Sequence, residues 1–265
     1  MEEAYKRTVW SLPDDYLSYS RFVGALHGLE MKSSPGYPYC KAAPTIGEWL
    51  KFDGFDFDDF QTRTLWHDAQ IVMSGRWDSI YRVFVKQEPH KLHKAEEGRW
   101  RLIIASPLCV QIVWQMLFGY QNDLEIDRCY DIPSQQGAVL VNGGWKQFLE
   151  LWKSRGYDTG LDKTAWDWTA PSWALNLDLV FRYRMGRGAK MEEWFGIAQT
   201  MYKDAFESPT LLLSDGHLFK QQYPGIMKSG CVNTISTNSH MQVMIHLLAC
   251  WDQGVDHEPF PVACG

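Results

Sequence analysis

The sequence predicts an α+β protein, because strand patterns and helix patterns both occur along a chain of ordinary globular composition. The chain has 265 residues, 45% of them hydrophobic and 22% charged, which suffices for a sizeable core and is too apolar for a disordered chain. Alternation at 81–85 predicts a strand, and a Ser-Asp-Gly turn between two short apolar runs predicts a hairpin. Helices are predicted after Pro107, from Pro171 to about Arg184, and from a Gly225–Gly230 loop to about Trp251.

The secondary structure of the first half of the chain is predicted from the positions of proline and glycine and from the alternation of apolar and polar residues. Residues 33–39 must be irregular, because two prolines and one glycine lie within five positions. The acidic run from Asp53 to Asp59 is interpreted as a solvated loop or the start of a helix. The strand at 81–85 leads into a basic loop, and a loop at 137–144 precedes a short helix from Trp145 to Trp152.

The second half adds strands on either side of its helices. Residues 157–161 are a strand candidate ahead of the helix that begins at Pro171. The runs 210–213 and 217–221 flank the Ser-Asp-Gly turn as the two strands of the hairpin. Residues 261–265 are predicted to begin a further strand.

Charge and cysteine usage exclude several classes of protein. The net charge is −6, so the chain cannot coat nucleic acid with its whole surface, and any such contact must be a local patch. The first thirty residues contain no apolar core of signal-peptide length, so secretion is not expected. The uncharged stretch 102–122 could span a bilayer by length, but Pro107, Gln111 and Gln115 favour a helix buried in a globular domain. The cysteines lack paired spacing and are predicted to be reduced thiols, at positions 40, 109, 129, 231, 250 and 264.

The first candidate site is the pair of carboxylates Asp162 and Asp167 in the segment Asp-Lys-Thr-Ala-Trp-Asp. At the end of a predicted strand that continues into a turn, both side chains can face one cleft. Carboxylates in that position suit a divalent cation that neutralises phosphate charge. Two aspartates at this spacing are also common in surface turns, so a solvated turn stays open as the alternative.

The second candidate site is the basic loop of residues 86–101, which concentrates positive charge in an acidic chain. Arg99 and Arg101 are predicted to lie on one side of a strand, where guanidinium groups suit the phosphates of a triphosphate or a nucleic-acid backbone. A solvated loop balanced by its own glutamates explains the pattern equally well. His90 and His93 have a metal-ligand spacing but no partner pair, so a zinc site is not expected.

The third candidate site is the segment from Lys228 to Asn238, in which a Ser-Gly turn leads into a helix. Thr234 and Asn238 lie one turn apart on the same face of that helix. A polar stripe beside Ser229 and Gly230, near a helix N-terminus, could hold a ribose and the adjacent phosphate. Helix capping and exposure to solvent are the alternative explanation for the same residues.

The order and spacing of these segments resemble the fingers and palm motifs of RNA-directed RNA polymerases from positive-strand RNA viruses, of sobemo-like or picorna-like type. Residues 33–39 resemble the fingers loop that guides the template, known as motif G. Residues 86–101, which include Gly-Arg-Trp-Arg, resemble motif F, residues 162–167 resemble motif A, and residues 229–238 resemble motif B. The resemblance runs from about residue 30 to the last residue and implies a right-hand polymerase fold.

The resemblance also implies a role for each residue of the motifs. Asp162 would be the catalytic residue and a ligand of Mg²⁺ or Mn²⁺, in a two-metal mechanism that transfers a nucleotide from a ribonucleoside triphosphate to an RNA 3′ end. The template would be bound by Ser34, Pro35 and Gly36. Within the nucleotide site, Asp167, Thr234 and Asn238 would recognise the ribose. The whole nucleotide site would comprise Lys86, Arg99, Arg101, Asp167, Ser229, Gly230, Thr234 and Asn238.

The resemblance further divides the chain into the fingers and palm domains of a polymerase. It implies mainly fingers over 1–155, palm with the motif A strand and helix over 156–185, a fingers insertion with the hairpin over 186–224, and palm with motif B and the start of the motif C strand over 225–265. The family's Gly-Asp-Asp motif is expected to begin at Gly265, so the chain is expected to be a fragment without a thumb and inactive by itself. A non-catalytic RNA-binding fragment or a degenerate polymerase relative is the alternative.

The same resemblance implies where the protein works and with what. The expected partners are an RNA template, the product strand and ribonucleoside triphosphates, with other viral replication proteins as further candidates. The expected place is a viral replication complex in the host cell cytoplasm.

Overall fold

The computed structural model describes residues 1–89 and 91–265, and the expectation about His90 lies outside that range. The helices within these residues are α1 (Tyr19–Leu26), α2 (Ile46–Trp49), α3 (Asp59–Met73), α4 (Leu92–Glu96), α5 (Leu108–Asp127), α6 (Gly144–Ser154), α7 (Trp166–Thr169), α8 (Ser172–Met185), α9 (Met191–Phe206) and α10 (Thr234–Gln253). The strands are β1 (Trp10–Ser11), β2 (Ile80–Val85), β3 (Leu102–Ala105), β4 (Gly186–Arg187), β5 (Thr210–Leu212) and β6 (Leu218–Lys220).

A mixed sheet of four strands, in the order β3-β2-β5-β6, carries both ends of the basic loop. Strand β2 pairs antiparallel with β3, where Val85 faces Leu102, and it pairs parallel with β5 on its other edge. Strands β5 and β6 form the predicted hairpin. The hairpin therefore extends the sheet from which the basic loop projects.

Helix α5 lies at the centre of the hydrophobic core. It begins directly after Pro107, whose missing N–H costs nothing at a helix start, and most of its side chains are buried. Trp114 and Phe118 of this helix pack against Tyr202 of α9, and the indole of Trp194 donates to the carbonyl oxygen of Leu117 at 2.8 Å. In the part of the chain that the structure describes, no helix is both long and apolar enough to cross a membrane.

Most of the predicted elements are confirmed. Strand β2, the hairpin and the helices α5, α6, α8 and α10 lie where the sequence predicts them. Of the residues 33–39 predicted to be irregular, 33–38 lack helix and strand, whereas Tyr39 begins the short 3₁₀ helix Tyr39–Lys41. The acidic run starts a helix, because Oδ1 of Asp58 accepts the N–H of Gln61 at 3.0 Å and caps α3. The cysteines are free thiols, as predicted.

Two predicted strands are not formed. Residues 157–163 have no regular structure, and residues 261–265 make only an isolated bridge between Ala263 and Ser134. A strand persists only where a neighbouring backbone satisfies its N–H and C=O groups, and the described residues offer neither segment such a ladder. The two segments still touch, because the hydroxyl of Tyr157 donates to the carbonyl oxygen of Phe260.

Candidate active site

Strand β3 is the place where the Ser-Gly turn of the third candidate site meets the sheet. The hydroxyl of Ser229 donates to the carbonyl oxygen of Leu102 at 2.7 Å. A Cβ on Gly230 would lie 2.6 Å from the carbonyl oxygen of Ile104, which is closer than real Cβ contacts come. The turn therefore requires glycine at position 230, since only the bare backbone fits against the strand.

The predicted template loop lies against the same sheet. The hydroxyl oxygen of Ser34 accepts from the N–H of Gly36 at 3.3 Å and from the guanidinium of Arg82 on β2 at 3.2 Å. The side-chain amide of Gln111 donates to the carbonyl oxygen of Ser34 at 3.2 Å. Gly36 has a φ of +66° and packs so closely on Ser106 that a side chain would overlap its carbonyl group. The loop is thus held in one shape, and its contact with a template stays a prediction.

Backbone hydrogen bonds join the Asp167 segment to the turn that precedes Ser229. The N–H of Met227 donates to the carbonyl oxygen of Asp167 at 2.8 Å, and the N–H of Ile226 donates to that of Ala170 at 3.0 Å. The indole N–H of Trp166 donates to Oδ1 of Asn238 at 2.9 Å. The structure therefore brings Asp167 and Asn238, two of the predicted nucleotide-binding residues, to one place.

Thr234 acts within its own loop in this structure. Its hydroxyl lies 2.9 Å from the carbonyl oxygen of Lys228 and 2.7 Å from that of Cys231, so its single hydrogen is used there. This bond closes the turn onto the first residues of α10. The predicted role of Thr234 at a ribose stays a prediction.

Lys228 is a buried cation beneath the same turn. Its side chain is 1% exposed, and its Nζ donates to Oε1 of Gln221 and to the carbonyl oxygen of Ile226, both at 2.8 Å. Burial lowers the pKa of Lys228 to about 7. The sequence predicts no separate role for Lys228, because a lysine before a Ser-Gly turn is ordinarily exposed.

The basic loop has a different arrangement from the predicted one. The segment contains helix α4, and the strand begins only at Leu102, so Arg99 and Arg101 do not share one side of a strand. Beyond the strand ends, the N–H of Lys86 still donates to the carbonyl oxygen of Arg101 at 2.9 Å. Glu88 instead bridges two cations, with Lys86 Nζ at 2.9 Å and Arg101 Nη1 at 2.6 Å from its carboxylate oxygens. Arg99 pairs separately with Glu97.

The electrostatics of the loop centre on this bridging carboxylate. Hydrogen bonds from Lys86 and Arg101 hold the pKa of the Glu88 carboxyl below its usual value. The Lys86 and Arg101 side chains remain 38% and 64% exposed, so an anion from solvent can reach both of them. The side chains of Lys86 and Arg101 therefore converge on Glu88, which is the kind of arrangement that a phosphate site requires.

Asp162 lies in the exposed, irregular segment 157–163 and not at the end of a strand, so the predicted common cleft with Asp167 has no sheet to form it. Within the described ranges its carboxylate makes no hydrogen bond or ion pair, and no three His, Cys, Asp or Glu side chains converge on a metal-sized site. Mg²⁺ is commonly bound by one or two carboxylates together with substrate phosphates, and not by a cage of protein ligands alone. A free carboxylate fits that kind of ion, and the metal role of Asp162 stays a prediction.

A buried cluster of charged side chains lies beneath the candidate site and was not predicted. Nδ1 of His240 is 2.6 Å from Oδ1 of Asp178, and Nε2 of His240 is 3.0 Å from the carboxylate of Glu125. The guanidinium of Arg182 donates to Asp178 at 3.0 Å and to the hydroxyl of Ser236 at 2.7 Å. The four ionisable side chains are fully buried and join helices α5, α8 and α10.

The charges of this cluster balance. Each ring nitrogen of His240 faces a carboxylate, so both must donate and the ring is an imidazolium. Burial alone would raise the pKa of the Asp178 carboxyl, but Arg182 and His240 outweigh it and hold the pKa well below its usual range. Two positive and two negative groups therefore cancel, as buried ions must to be tolerated. The amide of Asn122 extends the cluster to Asn233, one residue before α10, at 2.9 Å.

The chain is similar to known proteins in sequence and in fold. Residues 18–257 match the family described as viral RNA-dependent RNA polymerase. The chain is 35% identical over 233 residues to the replicase polyprotein P2AB of Southern bean mosaic virus, covering 81% of this chain and 23% of that protein. It is 30% identical over 232 residues to the RNA-directed RNA polymerase of mushroom bacilliform virus, covering 82% of this chain and 55% of that protein.

The fold has a counterpart among solved structures. The Sicinivirus 3Dpol RNA dependent RNA polymerase superposes with a TM-score of 0.71 at 18% identity, covering 93% of this chain and 51% of that chain. The chain spans about a quarter of the length of the replicase polyproteins among its curated relatives. The predicted α+β fold of a right-hand polymerase is confirmed, and the chain belongs to the viral RNA-dependent RNA polymerases.

Proposed function

We propose that this chain serves template-directed RNA synthesis in viral replication, by transfer of a nucleotide from a ribonucleoside triphosphate to an RNA 3′ end. The observation that carries the proposal is the junction beside β3, where Trp166 donates to Asn238, Met227 donates to the backbone of Asp167, and Ser229 donates to Leu102. The basic loop ends at Arg101, directly before Leu102 of β3, whose carbonyl oxygen accepts from Ser229. A nucleotide at the junction can therefore have its ribose near Asp167 and its phosphates near the loop.

The basic loop supplies the positive charge that a triphosphate needs. Lys86 and Arg101 already converge on Glu88, which occupies the position of an anion. A triphosphate carries several negative charges, so it competes with the single charge of Glu88 for both cations. Arg99, on the same loop, exchanges Glu97 for phosphate in the same way.

The remaining predicted residues would place the nucleotide, the metal ion and the template. Ser229 and Gly230 set the distance between the nucleotide and β3, and Thr234 holds the turn closed. A Mg²⁺ or Mn²⁺ ion bound by Asp162 and the substrate phosphates would offset the charge that develops during transfer. Ser34, Pro35 and Gly36 guide the template along the sheet. The implied domains are fingers over 1–155 and 186–224, and palm over 156–185 and 225–265.

A non-catalytic RNA-binding protein is the second candidate function. It is favoured by one observation, namely that no group of three His, Cys, Asp or Glu side chains in residues 1–89 and 91–265 is arranged to hold a metal ion. Such a protein would keep the basic loop and the template loop and would bind RNA through them. It would not join nucleotides.

Template dependence separates the two candidates. The 265-residue chain and the longest reading frame that contains it are each supplied with a primer on homopolymeric RNA templates, Mg²⁺ and one labelled ribonucleoside triphosphate at a time. The proposal expects incorporation only of the nucleotide complementary to the template. RNA binding without incorporation by either form would contradict it and support the second candidate, and incorporation that ignores the template would contradict both.

A further inference from the structure

The side chains of Trp166 and Asn238 connect the segment that carries Asp167 to helix α10. The indole N–H of Trp166 donates to Oδ1 of Asn238, with 2.9 Å between the two heavy atoms. Trp166 is partly buried and packs against the hydrophobic core, so its ring has little freedom to turn away. The bond therefore joins the immediate surroundings of the proposed ribose site.

The chemistry of this bond fixes the orientation of the Asn238 amide. An indole nitrogen donates and cannot accept, so the amide atom that faces it has to be the oxygen. The amide nitrogen, with its two hydrogens, then points elsewhere. It makes no hydrogen bond to any residue of the described ranges, and it is not sealed from solvent. Asn238 therefore offers donors to a ligand and keeps its acceptor engaged.

The neighbouring carboxylate offers the opposite capacity. Oδ1 of Asp167 accepts from the backbone N–H of Trp168 at 3.0 Å, while Oδ2 has no partner among the residues that the structure describes. An ionised carboxylate only accepts, and a hydroxyl both donates and accepts. A free amide donor on Asn238, together with a free carboxylate acceptor on the residue next to its partner Trp166, matches a 2′-hydroxyl, whereas two acceptors would not.

We propose that Trp166 is a positioning residue for sugar selection, which holds Oδ1 of Asn238 so that the amide N–H groups donate to the 2′-hydroxyl of an incoming ribonucleotide while Asp167 accepts its hydrogen. The inference rests on the proposed function and adds a residue to its ribose site. A 2′-deoxynucleotide leaves both protein groups unpaired, which is how a polar site rejects an analogue most strongly. Without the indole N–H the amide is free to turn, and its oxygen then faces the ligand beside a carboxylate.

Three variants test the role of the bond. Trp166→Phe keeps an aromatic ring and removes the donor, whereas Asn238→Asp keeps an acceptor for the indole and removes the amide donors. Trp168→Phe is the matched control, because that indole is 50% exposed and makes no side-chain hydrogen bond within the described chain. Each protein is assayed for incorporation of ATP and 2′-deoxy-ATP opposite uridine, and for equilibrium binding of the two nucleotides in competition.

The ratio of the two sugars is the decisive readout. Trp166→Phe and Asn238→Asp are expected to lower the preference for ATP over 2′-deoxy-ATP by about 5- to 20-fold, through weaker use of ATP. Trp168→Phe is expected to stay within about twofold of the wild type. A tryptophan with only a structural role would impair both nucleotides alike, so equal losses, or an unchanged ratio, would overturn the proposal. Should Trp166→Phe not fold, an unchanged ratio in Asn238→Asp would still overturn the proposal, because Trp166 is proposed to act through the Asn238 amide.

The two measurements also separate this inference from the proposed function. Wild-type protein that selects ATP in binding but joins no nucleotides would contradict the proposed function and leave the binding ratio of the variants to decide on Trp166. Template-directed incorporation with the same sugar preference in wild type and Trp166→Phe would contradict the role of Trp166 and leave the proposed function standing.

Discussion

Nδ1 of His240 lies 2.6 Å from Oδ1 of Asp178, and neither side chain is exposed to solvent. Asp178 is on α8, the helix that follows the Asp167 segment, and His240 is on α10, the helix that carries Thr234 and Asn238. The contact therefore ties together the two helices on which the proposed nucleotide site is built. A charged pair at this place fixes one relative position of the helices, since both ions lose their partners if either helix slides.

Removal of the Asp178 charge is expected to destabilise the protein strongly. Asp178→Asn leaves Arg182 and His240 buried with only Glu125 to oppose them, and an uncompensated buried charge costs about 3–5 kcal/mol. The free energy of unfolding is measured in urea from tryptophan fluorescence. Asp59→Asn, at the exposed pair of Asp59 and Arg63, is the control and is expected to leave the midpoint unchanged. Similar small changes in both variants would contradict the buried network.

Stability is expected to depend on pH through His240. Burial alone would lower the pKa of His240, but Glu125 and Asp178 outweigh it and raise the pKa above its ordinary value of about 6.5. Because the folded chain holds this proton more tightly, the contribution of His240 is fully present below about pH 6.5 and is lost as the pH rises through the folded pKa. The free energy of unfolding of the wild type minus that of His240→Gln should therefore fall as the pH is raised from 6.

Lys228 makes the free energy of unfolding change with pH in the opposite direction to His240. The effect of His240 is therefore read from the difference between wild type and His240→Gln. Burial lowers the pKa of Lys228 to about 7, so the unfolded chain binds more protons and stability rises between about pH 7 and the ordinary lysine pKa of about 10.4. The Lys228 term is present in wild type and His240→Gln alike and cancels in the difference. A difference curve that is flat or rises with pH would show that the ring is neutral in the folded protein.

Local signals were sufficient to predict most of the fold. The proline before α5 and the Ser-Asp-Gly turn of the hairpin each specify their element within a few residues. The segment 157–161 has the composition of a strand as well, but pairing depends on a partner that composition does not contain. The strand predictions therefore failed where strand formation depends on a neighbouring backbone segment and not on the composition of the predicted strand itself.

The sequence motifs name candidate residues for the site, but they do not reveal the buried side chains that support it. Ser229, Gly230 and Asn238 are candidates because of their order in the chain, and their spacing is local. Glu125 and His240 are 115 positions apart, and only the folded chain shows that they meet. Asp178 and Arg182 have the spacing of a helical ion pair, yet that spacing is more often found on an exposed face.

Gly230→Ala is expected to disrupt the turn beside β3. The added Cβ would meet the carbonyl oxygen of Ile104 at 2.6 Å, so strand and turn must separate, at a cost of about 1–3 kcal/mol for overpacking. Gly196→Ala on α9 is the matched control, because a Cβ there meets no atom within 4 Å and alanine favours a helix. Urea unfolding should therefore show a loss for Gly230→Ala and no loss for Gly196→Ala. Equal effects would argue against the close approach to β3.

Removal of positive charge and removal of negative charge in the basic loop are expected to have opposite effects on RNA binding. Lys86→Met combined with Arg101→Met should reduce the slope of log affinity against log salt by about 1–2, since two phosphate contacts are lost. Glu88→Gln should tighten binding, because it removes the anion that occupies both cations. The slope is measured by fluorescence anisotropy with single-stranded RNA.

The control for the loop variants is a glutamate on another surface. Glu150→Gln alters the exposed pair of Glu150 with Lys146 on α6 and is expected to leave the slope unchanged. If Glu150→Gln tightens RNA binding as much as Glu88→Gln does, the effect comes from total charge and the loop is not the phosphate site.

Asp162→Asn is expected to abolish nucleotide incorporation while leaving the fold intact. The carboxylate makes no hydrogen bond or ion pair elsewhere in the described chain, and the segment around it is exposed, so the substitution removes a charge and no structural contact. Loss of a metal-ligand charge should lower the rate of primer extension with Mg²⁺ many-fold, and circular dichroism and urea unfolding should be unchanged. Asp158→Asn is the matched control, since Asp158 is exposed in the same segment and, among the described residues, its carboxylate accepts only from the neighbouring Thr159 hydroxyl, at 2.9 Å. Both variants change the net charge by one unit, so a general electrostatic effect would appear in both. Wild-type activity in Asp162→Asn, or equal losses in the two variants, would remove Asp162 from the metal site, whereas loss in Asp162→Asn alone would assign the charge requirement to that position.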